Sequence, residues 1–312
     1  MQAMILVAGS ANLDFVVRAS HIPQPGETVL GDDLRTYPGG KGANQAVACA
    51  RAGAADVAML LALGDDAYAA PLEKSLRDAG VRLHLVRVPA VATGTAFICV
   101  SDDAENAITV APGANAHLLP QHIPDLHGLS HVLLQLEIPL DTVIALAQRA
   151  RALGVCVVLN AAPARALPAE LLALVDILIV NQGELAALVP HGDTIAQRVA
   201  LLPSERVVVT LGSQGCCARH GDTWHFQPAF AVSAVDSTGA GDTFCGSLVA
   251  ALAHGQPLAA ALRYASAAGA LACTQAGAQA AIPAADALRR WLAQAPAASA
   301  QSVAALRLAC GA

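Results

Sequence analysis

The sequence has few aromatic residues, no cluster of positive charge and no paired cysteines. Phe, Trp and Tyr make up 3% of the 312 residues, whereas hydrophobic residues as a whole make up 55%. The core must therefore be built from Ala, Val and Leu. A net charge of −6 without any block of Lys or Arg argues against nucleic acid or an anionic membrane as a partner.

The cysteines and the apolar runs both indicate a soluble cytoplasmic protein. The eight cysteines are scattered without a C-x-x-C pair, which predicts a reducing compartment. The first nine residues contain no basic residue and predict a β-strand rather than a signal peptide. Two uncharged runs, 243–262 and 264–285, approach membrane-spanning length, but they are rich in Ala and contain Gly, Gln or Pro. We interpret them as buried helices.

The segment Asp236–Asp242 is the strongest functional signal in the chain. It follows a strand-like run and precedes a long helical run. Gly239 and Gly241 let the backbone turn tightly, so that the free amides at the start of the helix can hold a phosphate or a developing anion. Asp242 beside such a site could take a proton from a substrate hydroxyl, or it could simply cap the helix.

Two glycine-containing segments in the first part of the chain also predict ligand contacts. Asn12 and Asp14 follow the first strand and would share one face, although an Asx turn explains the same pattern. Gly39–Gln45 opens a helix, with Lys41 and Asn44 as possible donors. The alternative is a plain glycine turn with a solvated Lys. The segment is not a Walker P-loop, because the G-K-[ST] ending is absent.

From residue 132 onward, strands and helices alternate, which predicts a mostly parallel sheet in an α/β fold. Each predicted strand ends in polar residues, so one rim of the sheet would carry Glu137, Asn160, Asn181 and Ser213. Glu184, three residues after Asn181, suits either a helix-capping pair or the outer sphere of Mg²⁺. Residues 1–312 contain no obvious linker, and the Ala-rich segment 295–312 is expected to be a loosely ordered tail, either a frayed end or a loosely packed helix.

Several motifs together resemble the PfkB-type, or ribokinase-like, carbohydrate kinase family, from Leu6 to about Trp291. The two most specific are Gly39-Gly40-Lys41-Gly42-Ala43-Asn44-Gln45-Ala46 and Asp236-Ser237-Thr238-Gly239-Ala240-Gly241-Asp242-Thr243-Phe244. Further matches are 9–14, 25–28, 135–137, 181–184, 210–213 and 277–279. The residues of the first motif and the turn Ala162-Pro163-Ala164 are most similar to those of the ribose-phosphorylating members.

The resemblance implies a three-layer α/β/α sandwich with a mostly parallel central sheet and a small β-sheet lid. The lid would be formed by about residues 13–37 and 92–110 of one continuous domain. Pairing of two such lids would produce a homodimer.

The resemblance also implies the ligands and the residues that contact them. ATP, Mg²⁺ and a monovalent cation, K⁺, would be required. Asp242 would be the base, with the anion hole formed by Gly239, Ala240 and Gly241. The sugar would be held by Asn12, Asp14, Gly39, Gly40, Lys41, Asn44 and Glu137. The nucleotide would contact Asn181, Thr210, Gly212, Ser213, Gly215, Gly241 and Ser266, with Glu184 organising Mg²⁺ through water.

The implied K⁺ site is formed by two loops and departs from the family pattern at two positions. Its ligands would come from Asp236, Thr238, Ala272, Gln275, Gly277 and Ala281. Gln275 stands where the family has an arginine that contributes a carbonyl, which any residue retains. Ala281 stands where a serine hydroxyl often contributes, so we expect K⁺ to activate at a higher concentration than in a serine-bearing relative.

The implied reaction is transfer of the γ-phosphoryl group of ATP to the O5 hydroxyl of D-ribose. A kinase of the same type for another substrate, such as fructose, 2-keto-3-deoxygluconate or an adenosine-like nucleoside, is the nearest alternative. A sugar-binding regulator without turnover is the alternative from another class. The presence of both Asp242 and Glu184 favours an enzyme.

Overall fold

The computed structural model describes residues 4–53, 56–103 and 105–312. The strands are β1 Met4–Ala8, β2 Asn12–Ala19, β3 Arg35–Gly39, β4 Asp56–Gly64, β5 Arg82–Val88, β6 Gly94–Ser101, β7 Asn106–Ala111, β8 His131–Leu134, β9 Cys156–Asn160, β10 Ile177–Asn181, β11 Arg206–Thr210, β12 Gly215–His220 and β13 Thr223–Pro228. The helices are α1 Lys41–Arg51, α2 Ala69–Asp78, α3 Leu140–Ala152, α4 Ala169–Leu172, α5 Gln182–Leu188, α6 Ile195–Ala200, α7 Ala240–Ala253, α8 Leu258–Ala272, α9 Ala278–Ala281, α10 Ala285–Gln294 and α11 Ala300–Cys310.

The large sheet contains nine strands in the order β13-β12-β11-β10-β9-β8-β1-β4-β5. Its neighbouring strands are parallel except at the β11–β12–β13 edge, where two antiparallel pairings occur. Successive side chains of a strand point to opposite faces, so the apolar strand β1 contributes to two hydrophobic cores. Ile5 and Val7 lie in one core, and Leu6 and Ala8 lie in the other. A sheet buried on both faces is typical of parallel α/β folds.

Helices cover both faces of this sheet. The core on one face includes residues of α1, α2, α7, α8 and α10. The core on the other face includes residues of α3, α4, α5, α6 and α11. The predicted three-layer α/β/α sandwich with a mostly parallel sheet is confirmed.

The two uncharged runs form α7 and α8, which pack against each other and against the sheet. Their lack of charge follows from this burial, as expected. In the part of the chain that the structure describes, no helix is long and apolar enough to cross a membrane.

A second, smaller sheet has four strands in the order β3-β2-β6-β7. β2 begins only three residues after β1 ends, and its register places Asn12 opposite Gly39 of β3 and Gly94 of β6. The family resemblance predicted that residues 13–37 belong to this sheet, but the pairing of β3 starts only at Arg35. Residues 20–34 contain Pro23 and Pro25 and lie mostly exposed without strand structure, since proline cannot donate to a ladder.

Of the two forms expected for the tail at 295–312, the structure shows the helix and not the frayed end over most of the segment. Residues 300–310 form α11, whose start is capped by the hydroxyl of Ser299 accepting a hydrogen bond from Ser302 N at 3.0 Å. Leu306 and Cys310 are buried in the core beneath β12 and β13. Low sequence complexity concealed an amphipathic spacing of two residues four apart, one turn of a helix.

Candidate active site

Asp242 lies in the first turn of α7, and its carboxylate is held on both sides. Gly239 adopts a left-handed conformation with φ of 73°, which favours glycine and lets the helix begin at Ala240. The side chain of Asp242 is 9% exposed. Asn44 Nδ2 donates to its Oδ2, and Gln45 Nε2 donates to its Oδ1, each at 2.9 Å. The carboxylate therefore contacts α1, the helix opened by the glycine motif.

The amides at the start of α7 are available to a ligand. Ala240 N donates to Ser237 O at 3.2 Å, and Thr243 N donates to Gly239 O at 2.8 Å. Between them, Gly241 N and Asp242 N have no hydrogen-bond acceptor within the described ranges. Free amides at the positive end of a helix dipole form an anion-binding site, directly beside a carboxylate.

A cavity of about 150 Å³ opens in front of these amides. It is lined by Lys41, Asn160, Asn181, Glu184, Thr210, Gly239, Gly241, Asp242 and Cys245, among others. Residues from five separated parts of the chain thus meet, and three of these parts stand where β9, β10 and β11 end at the same rim of the sheet. Negative charge on Asp242 raises the pKa of Lys41 above its usual range, with Glu137 and Glu184 adding to the effect.

Lys41 was grouped with the sugar-contacting residues, and the structure places it here with the predicted nucleotide residues. Among those, Gly212, Ser213, Gly215 and Ser266 do not line the cavity. Ser266 lies further along the sheet, where its hydroxyl is 3.5 Å from the thiol of Cys216.

Asn181 and Glu184 form the capping pair that the sequence allowed. Asn181 Oδ1 accepts from Glu184 N at 2.8 Å, and Glu184 Oε2 accepts from Asn181 N at 2.7 Å. The same Glu184 side chain also lines the cavity and is only 7% exposed. Burial raises its pKa, which the amide of Asn181 and the nearby Lys41 partly offset. Capping and facing a ligand are therefore compatible at this residue.

A second cleft of about 760 Å³ lies between the small sheet and the loops that precede α7 and α9. Asp14 of β2 lines it, with a side chain that is 8% exposed. Burial, together with the negative charges of Glu137 and Asp242, raises the pKa of Asp14 from 3.8 to about 7. A buried carboxylate whose pKa is raised by two neighbouring carboxylates indicates a functional role.

Glycine is required next to Asp14. A Cβ atom at position 39 would lie 2.1 Å from Asp14 Oδ2, far inside any contact distance. Gly40 has φ of 89°, and a Cβ atom there would lie 2.7 Å from Asn12 N. The two glycines thus bring the backbone of β3 against the polar side chains of β2.

The other predicted sugar-contacting residues lie around these glycines. Asn12 is buried, and its Oδ1 accepts from Asn115 Nδ2 at 2.7 Å. Glu137 Oε2 accepts from Lys41 N at 3.1 Å and from the hydroxyl of Ser10. The bond from Lys41 N holds the Glu137 carboxylate at the start of α1, whereas Asn12 is held by Asn115 from a separate loop.

The two loops of the implied K⁺ site are joined by one carboxylate. Asp236 Oδ1 accepts from Thr238 N, and its Oδ2 accepts from Gly277 N, each at 2.9 Å. Burial of Asp236 raises its pKa, but these hydrogen bonds outweigh that effect and the net pKa is lowered. Ala281 is buried and offers only a methyl group.

The sequence placed Asn160 at the rim of the sheet, but it gave no role in the site to Gln45, Gln135 or Asn115. Gln45, Gln135 and Asn160 are buried and bonded to one another beside Asp242, and Asn115 holds Asn12 from a separate loop. Gln45 follows Asn44 in the glycine motif, so its position was a usable signal. The contacts of Gln135 and Asn115 depend on folding, because each spans 90 or more residues of chain.

Comparison with known proteins identifies the class to which this fold and site belong. Residues 2–285 match the pfkB family of carbohydrate kinases, and the chain belongs to that family. Ribokinase from Bacillus subtilis is 39% identical over 284 residues, which are 89% of this chain and 96% of that protein.

Solved structures agree with this assignment. Ribokinase from Thermotoga maritima superimposes with a TM-score of 0.85 at 32% identity, covering 94% of this chain and 100% of that chain. Ribokinase from Arabidopsis thaliana complexed with ribose and ATP gives a TM-score of 0.83 at 32% identity, covering 94% and 99%.

Proposed function

We propose that this protein is a ribokinase, which transfers the γ-phosphoryl group of ATP to the O5 hydroxyl of D-ribose. The observation that carries the proposal is the position of Asp242. Its carboxylate adjoins both the free amides of Gly241 and Asp242 and the buried donors of α1. Similarity to a ribokinase complexed with ribose and ATP supports the choice of both substrates.

The sugar would bind beneath the small sheet, between Asp14 and Asp242. Asn44 must turn its amide nitrogen towards Asp242, because a carboxylate only accepts hydrogen bonds. Its Oδ1 is then buried without a hydrogen-bond donor among the described residues. A buried unpaired acceptor is costly, and a sugar hydroxyl would satisfy it. Asn12, Asp14 and Glu137 would hold further hydroxyls, which selects against substrates that lack them.

Catalysis would proceed by proton removal and charge stabilisation. Asp242 would accept the proton of the O5 hydroxyl as that oxygen attacks the γ-phosphorus. The amides of Gly241 and Asp242 would stabilise the negative charge on the transferring group, and Lys41 would neutralise further charge in the same cavity.

The carboxylate of Glu184, which lines the 150 Å³ cavity, fits a hydrated Mg²⁺ ion. Glu184 supplies hard oxygen donors, and of its two oxygens Oε2 receives the backbone amide of Asn181. Oε1 would accept a metal-bound water, which is how Mg²⁺ commonly binds proteins. When bound, Mg²⁺ would neutralise charge on the phosphate oxygens of ATP. Thr210, Gly212, Ser213, Gly215 and Ser266 would contact the rest of the nucleotide.

A K⁺ ion would lie between the loops that Asp236 joins. Carbonyl groups of 236–238 and 272–281 would be its ligands, as the tie from Asp236 to Gly277 supports. The missing hydroxyl at Ala281 would be replaced by water, with some loss of affinity.

The small sheet would act as a lid and pair with the lid of a second copy. Strand β7 is exposed along its length, and Phe97, Ile108 and Val110 are 55%, 53% and 41% exposed. Apolar side chains on a four-stranded sheet favour burial against a symmetric partner.

All eight cysteines are free, which supports a reducing compartment such as the cytoplasm.

The test is ADP release with ATP, Mg²⁺ and K⁺ across a substrate panel. The panel contains D-ribose, 5-deoxy-D-ribose, D-fructose, 2-keto-3-deoxygluconate and adenosine. We expect the highest kcat/KM with D-ribose and no turnover with the 5-deoxy sugar. ADP release that depends on another substrate and not on ribose would overturn the ribose assignment. Sugar binding without any turnover would indicate a regulator instead.

A further inference from the structure

The side chain of Gln45 is the most highly connected polar group near Asp242 that has no assigned role. It is 0% exposed. Its Nε2 donates to Asp242 Oδ1 and to Asn160 Oδ1, each at 2.9 Å. Its Oε1 accepts from Gln135 Nε2 at 2.6 Å. The amide of Gln45 therefore uses both of its N–H groups and its carbonyl oxygen, and all three bonds are internal.

Close packing holds this network in place. In α7, a Cβ atom at Gly246 would lie 2.5 Å from Gln45 O, so the glycine allows α1 and α7 to touch. At the other end, a Cβ atom at Gly9 would lie 2.0 Å from Gln135 Oε1. Both glycines thus leave room for the bonds that run from Gln135 through Gln45 to Asp242.

Asn44 and Gln45 play different parts around the same carboxylate. Asn44 has a free Oδ1 that can bind substrate, so its position can change when a sugar enters. Gln45 has no such group to offer a ligand. It can therefore hold Oδ1 of Asp242 equally in the free and the bound enzyme. With Oδ1 held by Gln45 and Oδ2 by Asn44, the orientation of the carboxylate beside the 150 Å³ cavity is set.

We infer that Gln45 is a positioning residue that orients the Asp242 carboxylate for proton transfer. Gln135 holds Gln45 in place through its hydrogen bond to Gln45 Oε1. The inference rests on the proposed function, in which Asp242 is the base. Correct alignment of a base contributes to the rate and not to substrate binding. Loss of Gln45 should therefore lower kcat and leave both KM values nearly unchanged.

The first test is Gln45→Leu, with Gln227→Leu as the matched control. Gln227 is also a buried glutamine, but it donates to a backbone carbonyl on β13. Losing a hydrogen bond to a charged group should lower kcat by about 10- to 100-fold. We expect the control to keep the wild-type kcat. Wild-type kcat in Gln45→Leu, with the fold intact by circular dichroism, would overturn the inference.

The second test repeats Gln45→Leu in the Asp242→Asn background. If Gln45 acts through Asp242, the second substitution should cause almost no further fall in kcat. A merely structural role would multiply the two losses and contradict the inference. If Asp242→Asn itself keeps normal kcat, the proposed base is wrong, and this result is distinct from a failure at Gln45.

An isosteric variant, Gln45→Glu, covers the case in which Gln45→Leu does not fold. It keeps the shape but places a carboxylate against Asp242, to which Lys41, Glu184 and Asp14 also couple electrostatically. Two adjacent carboxylates resist double ionisation, so the acid limb of the kcat–pH profile should move to higher pH. An unchanged kcat and pH profile in this variant would contradict the positioning role.

Discussion

We expect Asp14 to affect both the stability of this protein and its affinity for sugar, in opposite directions, and Asp14→Asn tests both effects. Its pKa is raised from 3.8 to about 7 by burial and by the charges of Glu137 and Asp242. A rise of about three units corresponds to about 4 kcal/mol against the ionised form in the folded state. The substitution keeps the shape of the side chain and removes that cost.

The direction follows from the order of the two pKa values. The pKa of Asp14 is higher in the folded state than in the unfolded state. Its contribution to the free energy of unfolding is therefore complete below about pH 3.8 and is lost as pH rises through about 7. Asp14→Asn should therefore gain stability over the wild type at pH values above 7, by up to about 4 kcal/mol. At acidic pH the two proteins should be equally stable.

Sugar binding should favour the ionised form of Asp14, whereas folding stability favours the protonated form. An ionised Asp14 accepts two hydroxyl hydrogen bonds, whereas the protonated form accepts fewer. The wild-type KM for the sugar should therefore rise as pH falls through about 7, while the KM for ATP stays level. In Asp14→Asn, the sugar KM should be high and independent of pH.

The assay is the sugar KM at saturating ATP from about pH 5.5 to about pH 9, with urea unfolding over the same range. Asp222→Asn, at an exposed carboxylate in the turn between β12 and β13, is the matched control. A level sugar KM in the wild type would refute the reasoning. So would an Asp14→Asn variant with the pH dependence of the wild type.

Four further predictions concern other parts of the molecule. Asp242→Asn should lower kcat by about 10²- to 10⁴-fold with little change in nucleotide affinity, and a near-normal kcat would leave Asp242 as a helix cap. Ala281→Ser should lower the K⁺ concentration for half-maximal rate, whereas equal rates in K⁺, Na⁺ and a bulky organic cation would exclude the site. Ile108→Lys on the exposed strand β7 should convert a dimer to a monomer by light scattering, and a monomeric wild type at micromolar concentration would contradict the lid interface. Removal of 297–312 deletes the buried Leu306 and exposes the core surface that it covers, which should cost at least about 2 kcal/mol of stability, seen as a lower Tm; an unchanged Tm would show that α11 contributes nothing.

The α/β architecture and the location of the active site could be predicted from local sequence patterns. Apolar runs that alternate with helical segments predict a parallel sheet, because each pattern reports the burial of its own residues. Glycines beside Asp242 and Asp14 predicted backbone close to a ligand or a polar group. In the structure a Cβ atom at Gly39 would lie 2.1 Å from Asp14 Oδ2, and Gly241 N and Asp242 N have no acceptor among the described residues. The choice between a frayed end and a helix for 295–312 could not be made from the sequence, since a helix gains most of its stability from packing and α11 packs against β12 and β13.

Local patterns therefore predict the set of elements and the residues at their ends, whereas which of those residues meet depends on the packing of the whole chain. Gln45 reaches Asp242 across 197 residues of chain, and Gln135 reaches Gln45 across 90. Such contacts depend on the approach of α1 to α7 at Gly246, a packing distance that no local pattern encodes. Local propensity specifies strands, helices and turns, whereas long-range hydrogen bonds exist only after the two cores have brought distant segments together.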